Sequence, residues 1–319
     1  MTHLLSQKDY VLFTQLCKLT ESAAYSTMTN FLEKSGFKSI EKSNNYIMVI
    51  GNIPIALVAH MDTVFPHPIF DMYYDKEKNV MWSPDGAGFD DRAGMFAIIK
   101  LIQRGFRPTV IFTLGEEMGG IGAVELVKFH SKAPVELKYI IELDRQGEND
   151  CVFYRCKNNE FTNYIKNYGF HVETGTFTDI SIICPAWGVA GVNLSIGYEC
   201  EHSYSEFLHV DWMKRTMDIV AKMLTAYEVA PFFEYVGGED LSWLMAPQEE
   251  CLCAHCRKPF SDFDLFDVVV KKGKKQLCID CVTELANWCE KCGEPFVIDR
   301  NNREAKYCYR SQEVEKNGK

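Results

Sequence analysis

Short apolar runs alternate along the first 230 residues with longer stretches whose apolar positions recur every three or four. The runs Tyr46–Ile50, Ile55–Ala59, Thr109–Leu114, Lys138–Leu143 and Val189–Ile196 are compact, apolar and bounded by turn residues, which predicts buried strands. Helical spacing predicts four helices between them. Ser6 can cap one that runs to about residue 35 and stops at Gly36. A second begins at Asp90-Asp91, continues through Phe96, Ile99 and Ile102, and is stopped by Gly105 and Pro108. Ile121–His130 forms a third. Val210–Tyr227 forms a fourth, with Met213, Met217, Val220 and Leu224 on one stripe. Strands alternating with helices predict an α/β fold, a mixed sheet sandwiched by helices.

Pro231, Gly237-Gly238 and Pro247 break the pattern after residue 230. The expected organisation is a main domain over 1–230, a linker over 231–250 with aromatic packing against a neighbour, and a cysteine-rich module over 251–319. Eight of the 13 cysteines fall between Cys251 and Cys308, and the other five are scattered through the main domain. Scattered cysteines in a reducing compartment are usually small buried hydrophobes, so only the clustered ones call for separate chemistry.

Composition narrows the class further. A hydrophobic content of 47 % is that of an ordinary soluble globular chain, and the formal charge of −10 is uneven, near −12 over residues 1–250 and slightly positive over 251–319. That acidic excess argues against non-specific nucleic-acid binding by the main domain. The mixed charge of the tail does not exclude nucleic acid there. No apolar run reaches the length of a membrane span, and the first residues lack the apolar core of a signal peptide. A cytoplasmic chain without membrane contact is expected.

Acids and histidines gather where the predicted strands end. His60 and Asp62 follow Ile55–Ala59, Glu116 and Glu117 follow Thr109–Leu114, and Asp144 follows Lys138–Leu143. His202 comes shortly after Val189–Ile196, and Asp90-Asp91 opens a helix, where the dipole favours anions. In open α/β sheets, sites form beyond the carboxyl ends of strands, so these places can converge on one rim. Imidazole and carboxylate together suit Zn, Co or Mn. Two histidines and three carboxylates can hold two cations if one carboxylate bridges. Asp62 can fix the ring of His60 through its second nitrogen. Taken singly, each motif has an ordinary explanation, such as a helix cap at Asp90-Asp91 or a solvated loop at Glu116-Glu117; their joint order favours the metal reading.

His60-Met61-Asp62-Thr63-Val64, Phe89-Asp90-Asp91-Arg92-Ala93-Gly94, Gly115-Glu116-Glu117-Met118-Gly119, Glu142-Leu143-Asp144 and His202-Ser203-Tyr204-Ser205-Glu206 resemble, in this order, the motifs of the co-catalytic dizinc aminopeptidase and carboxypeptidase superfamily. The closest likeness is to peptidase T and related zinc peptidases, over roughly residues 5–228. The resemblance implies the zinc-peptidase-like phosphorylase/hydrolase fold and two catalytic Zn, or Co or Mn. It implies that His60 and Asp144 hold one ion, that Glu117 and His202 hold the other, and that Asp90, the first of its doublet, bridges them. A bridging hydroxide would attack the amide carbonyl, with Glu116 as general base and Asp62 as a supporting catalytic residue. Relatives carry an inserted lid or dimerisation domain. Here His60 and Asp90 are 30 residues apart and Asp144 and His202 are 58 apart, which points to a version without a lid.

In the tail, Cys253-x2-Cys256 and Cys278-x2-Cys281 have the spacing of a tetrahedral Zn site. Cys289, Cys292 and Cys308 supply three ligands of a second, where Ser311 stands at the position expected of a fourth. The pattern resembles zinc-ribbon or LIM-like modules, with one or two structural Zn. So small a module needs such staples to fold, and a protein partner is the role expected of it. The expected function is a metal-dependent peptidase acting on peptide or amide bonds of short peptides, an aminopeptidase in the first instance. The alternative is a binding protein that keeps the hydrolase fold and recruits a protein or nucleic acid through its zinc tail.

Overall fold

A computed structural model describes residues 4–237, 251–256, 258–260, 265–270, 273–291, 295–298 and 305–308. Two compact units divide the chain, residues 1–244 and 245–319. In the first, α1 (Gln7–Cys17) and α2 (Glu21–Lys34) precede β1 (Ile40–Lys42), β2 (Tyr46–Val49) and β3 (Ile53–His60). The hairpin β4 (Tyr73–Asp75) and β5 (Val80–Trp82) follows, then α3 (Phe89–Gln103), β6 (Pro108–Thr113), α4 (Ile121–Phe129) and β7 (Tyr139–Arg145). Next come β8 (Asp150–Val152), α5 (Asn159–Lys166), β9 (His171–Val172), α6 (Ile180–Trp187) and β10 (Gly191–Ser195). The unit ends with β11 (Tyr198–Glu199), β12 (Phe207–His209) and α7 (Val210–Thr225).

The first helix expected from sequence is two. Ser6 caps α1, but the chain breaks at Lys18 and Thr20 opens α2, its hydroxyl accepting the Ala23 N–H. A Thr in extended conformation followed by Glu is a strong start signal, and it overrides the apolar periodicity that runs through the break.

Eight strands form the main sheet in the order β1-β2-β6-β3-β7-β10-β8-β9. The four in the middle, β6, β3, β7 and β10, run parallel, and β2 joins antiparallel to β6. The parallel strands are apolar and buried almost throughout because helices cover both faces. One face packs α1, α3 and α7 around Phe13, Phe89, Phe96 and Met213. The other packs α4 and α6 around Ala123, Leu126, Ile183 and Trp187. In β3 the pairing with β6 is regular from Ala56 to His60, and its one irregularity lies between Ile53 and Ala56. A smaller sheet, β11-β12-β5-β4, is built from the segments before α3 and α7. Residues 230–236 return to the main sheet. Phe233 is buried, pairs through its backbone with Lys138 and Ala190, and lies beside a bridge between Val189 and Glu234.

The second unit contains β13 (Cys251–Leu252), β14 (Pro259–Phe260), β15 (Leu265–Val270), β16 (Gly273–Cys278), α8 (Ile279–Leu285), β17 (Ala286–Trp288) and β18 (Pro295–Val297). β15 and β16 form a hairpin, and β18 joins β15 in a four-stranded sheet closed by β17. Among the described residues no helix is long and apolar enough to cross a membrane.

Candidate metal centre

Parallel strands deliver their carboxyl ends to a single rim, and the predicted residues meet there. His60 is the last residue of β3 and is fully buried. Its Nε2 lies 2.9 Å from Asp90 Oδ1 and 3.4 Å from Asp144 Oδ1. His202, in the turn between β11 and β12, places Nε2 3.2 Å from Asp90 Oδ2 and 3.0 Å from Glu117 Oε2. Asp90 therefore divides its two oxygens between two imidazoles, each of which faces a further acid. Two sets of ligand-type atoms each converge within 4.8 Å, His60–Asp90–Asp144 and Asp90–Glu117–His202, and a third joins His60 to Glu116 and Glu117.

The Asp90-Asp91 doublet separates into two jobs. Neither residue is helical, and the peptide between them is cis. Asp91 is buried and its Oδ1 accepts the Gly94 N–H at 2.8 Å, as a helix-capping carboxylate does. Asp90, one residue earlier, is free of that duty and turns to the rim. Gly94 allows the turn to pack. A Cβ there would lie 2.3 Å from the Leu143 carbonyl oxygen and 2.5 Å from the Asp91 carboxylate.

Asp62 is buried and holds the acid loop through its main chain. Its Oδ1 accepts the Glu116 N–H at 3.3 Å and its Oδ2 the Glu117 N–H at 3.2 Å, while Oδ1 also lies 3.4 Å from His60 Nδ1. Asp144 is held from both sides. Tyr198 donates to Oδ1 at 3.0 Å and Thr178 to Oδ2 at 3.1 Å. Asn193 pairs with its main chain, accepting the Asp144 N–H and donating to the Asp144 carbonyl. Tyr198, Thr178 and Asn193 carry no signature in sequence, because they reach Asp144 only through the fold.

Below the rim lie more buried acids. Glu142, two residues before Asp144 on the same face of β7, accepts the Ile180 N–H, and Thr113 donates to Asp179. Glu206 is buried and accepts the Asp90 N–H at 3.0 Å. Glu142 and Glu206 stood inside sequence motifs singled out for their neighbours, so their types were visible and their roles were not.

Crowding so many carboxylates away from water shifts their acidities. Burial, then the neighbouring acids, pushes Glu116 up to about 10, Glu117 up to about 7, Asp144 up to about 6 and Asp179 up to about 7. Hydrogen bonding to Asp90 raises His202 to about 9. Burial opposes the charged form of His60, yet Asp144, Asp62 and Asp90 around it hold its pKa well above the usual imidazole range. Asp90 goes the other way: burial resists, but the hydrogen bonds from His202 and His60 hold it well below the carboxylate range. Among the described residues, Glu117 Oε1 is buried with no hydrogen-bond partner, and His60 Nδ1 is buried with Asp62 Oδ1 3.4 Å away. Oxygen and imidazole donors facing two common points, with buried polar atoms left over, fit a pair of divalent cations, whose charge would reverse this repulsion.

In the second unit the sulfurs of Cys253, Cys256, Cys278 and Cys281 lie within 4.8 Å of one another. The Cys278 N–H points to Cys253 Sγ at 3.4 Å. Four thiol sulfurs at that separation suit a tetrahedral Zn site. Cys289 and Cys308 are buried, and the Cys308 N–H points to Cys289 Sγ at 3.3 Å. Cys292, expected beside them, lies outside the described residues, as does Ser311.

No protein-family model matches this sequence, and no curated protein matches it. Solved structures do match in shape. The aminopeptidase PepT from Bacillus cereus ATCC 10987 superposes with a TM-score of 0.56 at 14 % identity, over 70 % of this chain and 99 % of its own. A tripeptidase from Staphylococcus aureus subsp. aureus Mu50 gives the same values. A TET aminopeptidase from the marine sediment archaeon Thaumarchaeota archaeon SCGC AB-539-E09 has a TM-score of 0.54 at 13 % identity, over 69 % of this chain and 97 % of its own. At such identities the likeness is one of fold, and the fold is one that aminopeptidases use.

Proposed function

We propose that this chain is a metal-dependent peptidase that hydrolyses short peptides, acting as an aminopeptidase. The observation that carries the reading is the split engagement of Asp90, one oxygen toward His60 and the other toward His202. His60, Asp90 and Asp144 would hold one cation, and Asp90, Glu117 and His202 the other. Bound there, a cation pair supplies Lewis-acid polarisation of the scissile carbonyl and makes the attacking water more acidic.

The remaining chemistry belongs to the chain. Glu116 sits beside the ligands in a mostly buried loop, where it can take a proton from the attacking water and return it to the leaving amine. Asp62 fixes the loop that carries Glu116 and Glu117, so the base and one ligand share a single anchor. The Asp62 carboxylate also faces the second nitrogen of His60 and so favours the tautomer that leaves Nε2 free to bind. Tyr198 and Thr178 hold Asp144 in one orientation. In the second unit, the four-cysteine cluster supports a structural Zn, and we propose that the module it staples binds a protein partner.

The test is hydrolysis of di- and tripeptides, with free and with blocked amino termini, by purified protein supplied with Zn, Co or Mn. Release of amino acids from the free-amine peptides alone is the expected result. Inert protein with every metal and peptide, together with a partner retained stoichiometrically through residues 251–319, would replace this reading with the binding one.

A further inference from the structure

Glu206 is 1 % exposed and, among the described residues, has no cationic partner. A carboxylate is not left so deep without compensation unless something holds it. Here the main chain supplies part of that compensation. Oε1 accepts the Asp90 N–H at 3.0 Å, and the nearby amides of Phe89 and Gly88 favour the charged form. Burial outweighs these amides and pushes the Glu206 carboxyl up to about 8, and its Oε2 has no hydrogen-bond partner among the described residues.

Local geometry explains why this acid comes from 116 residues away. The position that precedes α3 is Gly88, in the left-handed region at φ 59°, and it offers no side-chain cap. A Cβ there would lie 2.8 Å from Thr63 Oγ1, so a capping Ser or Asp does not fit. Asp91 caps the regular helix that follows, which leaves the amides ahead of it unserved. Glu206 serves them.

The same turn carries His202. Its side chain is 51 % exposed, and its backbone is in the left-handed region at φ 59°. The Glu206 N–H closes the turn on the Ser203 carbonyl at 3.1 Å. Asp90 is thus gripped twice by one short segment, at its carboxylate by His202 and at its amide by Glu206.

We propose that Glu206 is a positioning residue for the metal centre, locking the bridging Asp90 and the exposed His202 into the one arrangement that accepts two cations. The inference rests on the two-cation reading, and its test separates the two. Mn(II) is the probe, because it favours carboxylate and imidazole over the thiolates of the second unit. Binding is followed by electron paramagnetic resonance on the full chain, with kcat and KM for a tripeptide measured alongside. In wild type two Mn(II) bind, and their coupled spectrum reports the bridge. Glu206→Gln keeps one acceptor oxygen and cannot ionise; it should bind the second Mn(II) about tenfold more weakly, lower kcat more than KM changes, and melt close to wild type without metal. Glu206→Ala should lose the coupled signal altogether. Either variant binding two coupled Mn(II) with wild-type affinity overturns the proposal, as does an E206Q that is only less stable. Wild type that binds no Mn(II) pair overturns the two-cation reading itself.

Discussion

At the scale of single residues, the doublet Asp90-Asp91 shows how position decides role. The two side chains are chemically identical, yet one caps a helix and the other turns to the rim. Glu116 offers the sharpest test of catalysis. Glu116→Gln should lower kcat by about 10²–10⁴-fold while bound metal, measured by elemental analysis, stays at the wild-type level. Packing behind the rim is just as position-specific. Gly94→Ala drives a Cβ against the Leu143 carbonyl and the Asp91 carboxylate, and should cost about 1–3 kcal/mol in denaturant unfolding of the metal-free protein.

At the scale of elements, caps and register decide what periodicity leaves open. Thr20→Ala removes the hydroxyl that opens α2 and should lower stability by about 1 kcal/mol. That Thr also shows where sequence reasoning fell short, since apolar spacing continues across residues 18–20 and concealed the break. The central strands were legible because residues such as Ile55–Ala59 and Thr109–Leu114 are buried on both faces and read as unbroken apolar runs. The small strands of the second sheet and α6, which contains Pro185, were not legible. The strands are mixed in polarity, α6 is a short apolar run that periodicity cannot tell from a strand, and partners distant in sequence hold them in place. The same division applies to the site. His60, Asp90, Glu116, Glu117, Asp144 and His202 announce themselves by type and spacing at strand ends. Tyr198, Thr178 and Glu206 act on those residues across the fold, through contacts that no local pattern records.

At the scale of the whole molecule, the buried acids tie stability to pH. Asp144, Glu117 and Asp179 have folded-state pKa values raised to about 6, 7 and 7, and His202 is raised to about 9. A raised value means that the folded state binds protons the unfolded chain has released. Stability from these groups is therefore full below about 4 and is lost as pH climbs, through about 4 to 7 for the acids and about 6.5 to 9 for His202. Chelator-treated protein should show a falling Tm over that window, by differential scanning fluorimetry, and added divalent cation should remove the fall. Cation affinity should rise across the same window, because the ligands must shed protons to bind. The two units predict a separable loss: Cys253→Ser should release one Zn and expose the second unit to protease while peptide hydrolysis by residues 1–244 persists. The pairing of β3 also sets where the chain can absorb a change in length. Its single irregularity lies at the end farthest from His60, whereas Ala56 to His60 pair in unbroken step with β6. An extra residue before Ile55 would be taken up in that slack. The same insertion after Val58 would rotate the imidazole to the opposite side of the sheet and dismantle the rim.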